Sequence, residues 1–162
     1  GYSPRTGLFY FSAWENYGTI YRPEEQEYKP GQLFTGGGFS VVTPAPGAPT
    51  IGIGRRGPIN NWTDEVGNGA VMAMDPDTGQ VKWKLRQHDV TDAGMLTTAS
   101  DLLFTGGREG HFMALDARTG ALLFKASLGG QIVMGPVTFM VDGKQYVTVI
   151  AGNALFTFGL RD

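Results

Sequence analysis

Residues Gly69–Lys84 return once as Gly110–Lys125, 41 positions further on (110 − 69), and no other feature of the 162-residue sequence constrains its fold as tightly. The two copies agree at Gly69/Gly110, Met72/Met113, Ala73/Ala114, Asp75/Asp116, Thr78/Thr119, Gly79/Gly120 and Lys84/Lys125. Apolar residues replace one another at Val71/Phe112, Met74/Leu115, Val81/Leu122 and Trp83/Phe124. Each copy reads as an apolar strand, a turn closed by Thr-Gly and a second strand, which is a β-hairpin. Asp75 and Asp116 are placed to accept backbone N–H groups in the turn, and Gly79 and Gly120 to take the positive φ that a side chain resists. In the second strand Val81, Trp83 and Leu85 alternate with Lys82, Lys84 and Arg86, which predicts one buried and one wet face.

Short apolar runs separated by turns continue on both sides of the repeat. With 25 Gly, 9 Pro and no sustained 3.6-residue apolar period, the chain is expected to be all-β, and its 41% hydrophobic residues suffice for a core. Tyr2–Gly7 is a further turn ending in Thr-Gly, followed by an aromatic strand over Leu8–Trp14. The stretch from Glu15 to Trp62 has little periodicity and holds Pro23, Pro30, Pro44, Pro46, Pro49 and Pro58, so it reads as a long loop. Further strands are expected at 94–99, 102–106, 111–116 and 121–127, then at 133–141, 144–151 and 155–160, with Asp142-Gly143 as a primed hairpin turn. Four-stranded units of about 40 residues, with an aromatic recurring at the close of the last strand, are the pattern of a β-propeller blade. The expectation is therefore a propeller fragment of just under three four-stranded antiparallel blades. Residues 1–88 form one blade with a long inserted loop at 15–67, residues 89–127 a complete blade, and residues 128–162 an incomplete closing blade. A propeller closes with about four to eight blades, so the rest of the ring is the first expected partner. An opening Gly-Tyr-Ser-Pro without methionine also reads as a fragment or processed piece.

Several chemistries are disfavoured. A formal net charge of −2, a pI of about 5.6 and the lack of a basic run give no electrostatic case for nucleic acid or a membrane surface. Without cysteine there is neither a disulfide nor a thiolate metal site. No stretch approaches the ~20 apolar residues of a membrane-spanning helix. Gly52-x-Gly54-x-x-Gly57 matches a dinucleotide fingerprint as a pattern, but Pro58 follows at once and no strand-then-helix context surrounds it. His88 and His111 stand alone, without the spacing of a zinc site. Asp75-Pro76-Asp77 resembles the start of a calcium loop, yet Gln80 and Arg86 occupy its sixth and twelfth positions, so it is a turn.

Ala73-x-Asp75-x-x-Thr78-Gly79-x-x-x-Trp83 resembles the tryptophan-docking motif of the eight-bladed quinoprotein dehydrogenases, which oxidise alcohols or sugars with pyrroloquinoline quinone (PQQ). Ala114-x-Asp116-x-x-Thr119-Gly120-x-x-x-Phe124 repeats it with phenylalanine for tryptophan. Ser3–Tyr10, Leu96–Gly106, Pro136–Phe139 and Val141–Val147 are similar to that family in the same order, and together they correspond to its C-terminal third. The resemblance implies that the chain contributes part of a quinone pocket, and residues can be carried over by position. Trp14, with Asn16 close by, falls where the methanol dehydrogenase branch has a cofactor-binding asparagine. Asp92-Ala93-Gly94 falls where relatives carry Trp-Gly-Gly or Asn-Gly-Gly beside the cofactor. Gly152-Asn153-Ala154 replaces a glycine-rich loop at the quinone edge. Trp14, Asp92 and Asn153 are thus expected to converge at one mouth of the propeller, with the carboxylate of Asp92 facing metal or substrate. The family's catalytic aspartate, the residues that hold its Ca²⁺ or lanthanide ion, and its adjacent-cysteine disulfide belong to earlier blades, so the fragment alone is expected to be inactive. The resemblance further implies a cytochrome or quinone electron acceptor and a periplasmic location. The alternative is a non-catalytic propeller of the same type acting as a binding scaffold.

Overall fold

The computed structural model describes residues 1–14, 17–20, 23, 25–32, 34, 41–44, 69–88 and 91–160. Its elements are all strands: β1 (Tyr2–Ser3), β2 (Leu8–Trp14), β3 (Tyr17–Ile20), β4 (Val41–Pro44), β5 (Gly69–Met74), β6 (Val81–Gln87), β7 (Leu96–Thr97), β8 (Leu102–Thr105), β9 (His111–Asp116), β10 (Leu122–Ser127), β11 (Val137–Val141), β12 (Lys144–Ala151) and β13 (Ala154–Gly159). Two compact units are distinguished, Gly1–Glu15 with Ile59–Asp162, and Asn16–Pro58. In the second of these β3 pairs with β4, from Tyr17 opposite Pro44 to Ile20 opposite Val41, and Tyr28 meets Phe34 edge to face at 5.7 Å. This ladder lies where only loop was expected; Thr19, Ile20, Val41, Val42 and Thr43 are β-branched and suit a pleated backbone. The Gly52-x-Gly54-x-x-Gly57 pattern lies outside the described residues.

In the first unit three antiparallel sheets follow one another along the chain, in the orders β1-β2-β5-β6, β7-β8-β9-β10 and β11-β12-β13. Both copies of the repeat are hairpins. Asp75 Oδ1 accepts the N–H groups of Asp77 and Thr78 at 3.0 and 3.1 Å, and Asp116 Oδ1 those of Arg118 and Thr119 at 2.8 and 3.2 Å. Gly79 and Gly120 close the two turns at φ +70° and +73°. The expected Asp142-Gly143 turn has φ +49° and +77°, as a primed turn requires.

Strand alternation builds the packing. On β9, Met113 and Leu115 join a core with Tyr10, Val71, Ala73 and Trp83 of the first sheet, while Phe112 points the other way into a core with Ile132, Val147 and Val149. The middle sheet is therefore covered on both faces, and Phe104, Phe112 and Phe158 stack across its junction with the third at 5.8 and 4.8 Å. Trp83 carries the contact between the first two sheets. Its indole N–H donates to the Ala117 carbonyl at 3.0 Å, which also accepts the Tyr10 hydroxyl at 2.9 Å. A Cβ on Gly120 would stand 2.6 Å from the Trp83 ring, so the glycine leaves the turn bare for the indole to lie on. On β6 the expected alternation holds from Trp83 to Arg86, but Val81 at the strand start is exposed.

Two strands are shorter than expected. Only Leu96–Thr97 of 94–99 pairs, because the Gly94 carbonyl accepts the Thr105 hydroxyl at 3.2 Å instead of joining a ladder. The third sheet begins at Val137 and not at 133, since Pro136 has no N–H to donate. In the other direction, Tyr2–Ser3 of the expected N-terminal turn is itself a strand, pairing with Phe9 and Leu8 and bringing the first sheet to four.

A second tie joins the first two sheets. Arg5 Nε donates to Asp101 Oδ1 at 2.8 Å, and Arg118 Nη2 lies 3.5 Å from Asp101 Oδ2. The Arg5 hydrogen bond holds the Asp101 carboxyl below the usual carboxylate value. A lowered folded value means that this stabilisation is present above the unfolded value, about 3.8, and is lost as pH falls through the folded one. Asp101→Asn is accordingly expected to lower the urea midpoint at neutral pH and to flatten its decline on acidification, in unfolding curves collected between about pH 2 and pH 7.

Candidate functional site

Antiparallel alternation puts one set of connections at a common end of the three sheets: the end of β2 at Trp14, the segment after β6, the β8–β9 loop, the segment after β10 and the β12–β13 turn. Backbone bonds tie these connections in series. Leu128 N–H donates to Gly110 O at 2.8 Å, Ile132 N–H to Gly107 O at 3.0 Å, and Gly152 N–H to Gln131 O at 2.8 Å.

Residues 91–94 form no strand, yet each is held by a neighbouring element, β2, β8 or the β8–β9 loop. Trp14 Nε1–H donates to Thr91 O at 2.8 Å. The Thr91 hydroxyl donates to Gly106 O at 3.3 Å. Ser12 Oγ donates to Ala93 O at 2.9 Å, and the Ala93 side chain is buried in the core between the second and third sheets. Gly94 is fixed by sterics as well as by Thr105, since a Cβ on it would stand 2.6 Å from Gly135 Cα, where the backbones entering the second and third sheets meet.

Asp92 is exposed, and its carboxylate is paired with an arginine. Arg108 of the β8–β9 loop clasps it with both arms, Nη2 to Oδ2 at 2.9 Å and Nε to Oδ1 at 3.4 Å. The same guanidinium lies 5.6 Å from the centroid of the Trp14 ring, within cation–π range. Planar and forked, it matches the carboxylate and the indole face together, which a lysine cannot do. The carboxylate expected to meet metal or substrate is thus engaged with an arginine. The Trp14 indole has given its N–H to Thr91 and one face to Arg108, while 39% of the residue stays exposed.

The structure thus joins Trp14, Asp92, Ala93 and Gly94 in one cluster. Asn153 and Ala154 are exposed at the same end of the sheets, where β12 turns into β13. Asn16 lies outside the described residues. Arg108, between β8 and β9, is the member that sequence reading missed. Its signal was a cation in a loop at the same sheet end as an aspartate of opposite sign. The arrangement fits the rim of a planar, polar-edged molecule such as PQQ: a partly exposed aromatic, a bare glycine backbone, a cation and an outward amide. Both carboxylate oxygens of Asp92 are turned to Arg108.

A second cleft, of about 140 Å³, opens between β6 and the β9–β10 hairpin, lined among others by Gln87, Glu109, His111 and Lys125. Glu109 Oε1 accepts the His88 N–H at 2.6 Å, and its Oε2 lies 3.5 Å from His111 Nδ1. Both histidines thus stand at strand ends, beside one carboxylate.

Comparison with known proteins assigns the class. Residues 67–159, more than half of the chain, match the PQQ_2 repeat family, described as Outer membrane protein assembly factor BamB, and the chain belongs to that family of propeller repeats. Within it, the chain is similar to quinoprotein alcohol dehydrogenases. It is 38% identical over 153 residues to the quinoprotein alcohol dehydrogenase PedE of Pseudomonas putida, covering 93% of this chain and 21% of that protein. It is 32% identical over 158 residues to a 1-butanol dehydrogenase (cytochrome c) of Thauera butanivorans, covering 93% and 20%. Among solved structures, a europium-containing methanol dehydrogenase superposes with a TM-score of 0.62 at 30% identity, over 91% of this chain and 23% of that one. The chain spans about a fifth of the length of the relatives it matches.

Proposed function

We propose that this chain is part of a PQQ-dependent dehydrogenase that oxidises an alcohol or sugar, and that it supplies part of the wall of the quinone pocket. The carrying observation is similarity to quinoprotein alcohol dehydrogenases across 93% of the chain, on a stack of sheets joined by tryptophan docking. We assign residues 1–88, 89–127 and 128–162 to three successive blades of a larger ring. Trp14, Asp92, Ala93 and Gly94 would form one part of the quinone's surroundings and Asn153 with Ala154 another, with Asn16 following Trp14. PQQ, when bound, supplies the electrophilic carbonyl that takes up two electrons as the alcohol carbon is oxidised.

The residues of this chain bind and orient. Trp14 closes one side of the mouth, the pinned backbone of 91–94 presents a fixed edge without side-chain bulk at Gly94, and the amide of Asn153 is available to a carbonyl or carboxylate edge. The base and the ligands of a Ca²⁺ or lanthanide ion come from outside this chain. The acceptor is a cytochrome or a quinone, and the location is the periplasm. The description of the repeat family as an assembly factor favours a second reading, a propeller that binds a protein without catalysis. Alcohol- and sugar-dependent dye reduction separates the two. The full-length protein reconstituted with PQQ and Ca²⁺ or a lanthanide is expected to turn over, and the 162-residue chain treated alike is expected not to. A full-length protein inert with alcohols and sugars under every metal supports the scaffold, and turnover by the chain alone contradicts the division of labour.

A further inference from the structure

We propose that Arg108 is a positioning residue for the quinone. Clasped by Asp92 and laid on Trp14, it sets the position of the Thr91–Gly94 segment that the cofactor meets; this inference rests on placing the quinone at that mouth.

The contacts to 91–94 from Trp14, Ser12 and Thr105, and that from the Thr91 hydroxyl, are neutral hydrogen bonds. Arg108 alone holds Asp92 by its side chain, from a loop 16 residues further along the chain. It also couples two elements that the sheets do not pair, the end of β2 and the β8–β9 hairpin, because its guanidinium touches both the Trp14 ring and the Asp92 carboxylate. Asp92 is the more exposed partner, with 36% of its side chain accessible against 19% for Arg108. Removing Arg108 would leave a bare carboxylate at the mouth and uncover the indole face. A carboxylate there would repel the acidic edge of PQQ, and the segment would lose its ionic anchor to the β8–β9 loop while keeping the Thr91–Gly106 hydrogen bond.

The test uses the full-length apo-protein titrated with PQQ, followed by quenching of indole fluorescence, so that binding is read without turnover. Arg108→Gln is expected to weaken PQQ binding about tenfold, the scale of one charge-assisted hydrogen-bonded pair, with an unchanged far-UV spectrum. Arg108→Asp should weaken binding at least as much, and the exchanged pair D92R/R108D should recover most of the affinity. Wild-type affinity in Arg108→Gln overturns the proposal while the pocket assignment stands. Weakening without recovery in the exchanged pair also overturns it, since Arg108 would then act on the ligand directly. A wild-type protein that takes up no PQQ overturns the pocket assignment itself, and this inference with it.

Discussion

Replacing Trp83 by alanine lowers the unfolding free energy of the full-length protein by about 3–5 kcal/mol, the range for truncating a large buried aromatic. The indole is 9% exposed, tilted against Tyr10 at a centroid distance of 5.9 Å, and seated on the turn of the neighbouring sheet. Its removal opens a cavity at the junction of two sheets and takes one of the two donors from the Ala117 carbonyl, which keeps the Tyr10 hydroxyl. Most of the cost is therefore packing and not an orphaned polar group. Denaturant unfolding measures it, and a loss below about 1 kcal/mol would mean that Trp83 does not dock the sheets.

Gly120→Ala should cost about 2–4 kcal/mol, for two separable reasons. A side chain at φ +73° is strained, and its Cβ would be driven against the Trp83 ring. Gly79 is the built-in control: it has φ +70° but nothing within 4 Å of an added Cβ, so Gly79→Ala should show the backbone cost alone, about 1–2 kcal/mol. In a Trp83→Ala background the excess at Gly120 should vanish, because the ring it collides with is gone. Equal costs at Gly79 and Gly120, or an excess that survives the loss of Trp83, would contradict the docking geometry.

Both predictions were open to sequence reasoning because the repeat carries them. Ala-x-Asp-x-x-Thr-Gly-x-x-x-Trp fixes the turn, its glycine and the aromatic within 11 residues (Ala73 to Trp83), and local chemistry decides all three. The strand limit at 94–95 was not open in this way, whereas that at 133–136 had a local sign in Pro136. Gly94 leaves its ladder because the backbone of Gly135 crosses it, a contact between segments some 40 residues apart that no local period records. Tyr2–Ser3 is too short to show alternation, and pairs only because the turn that follows folds it back on Leu8 and Phe9.

The candidate site was half legible. Positional resemblance selected Trp14 and Asp92–Gly94, and the fold brings them together. It could not foresee that Asp92 would face an arginine, since Arg108 sits in an ordinary hairpin loop and becomes Asp92's partner only when two connections meet at one end of the sheets. That pairing changes the chemistry available there, from a free carboxylate to a neutralised, oriented one. Positional resemblance put Asn153 at the same end of the sheets as Trp14, where antiparallel alternation also places it, and alternation fixes no more than the end.

The most direct test is a crystal structure of the full-length protein with PQQ bound. The quinone is expected at the sheet end that holds Trp14 and Asn153, with the backbone of 91–94 against its edge and the Arg108–Asp92 pair intact beside it. A quinone bound at the opposite end, by the Asp75–Gly79 and Asp116–Gly120 turns, or Trp14 and Asn153 opening onto different faces of the ring, would contradict this placement.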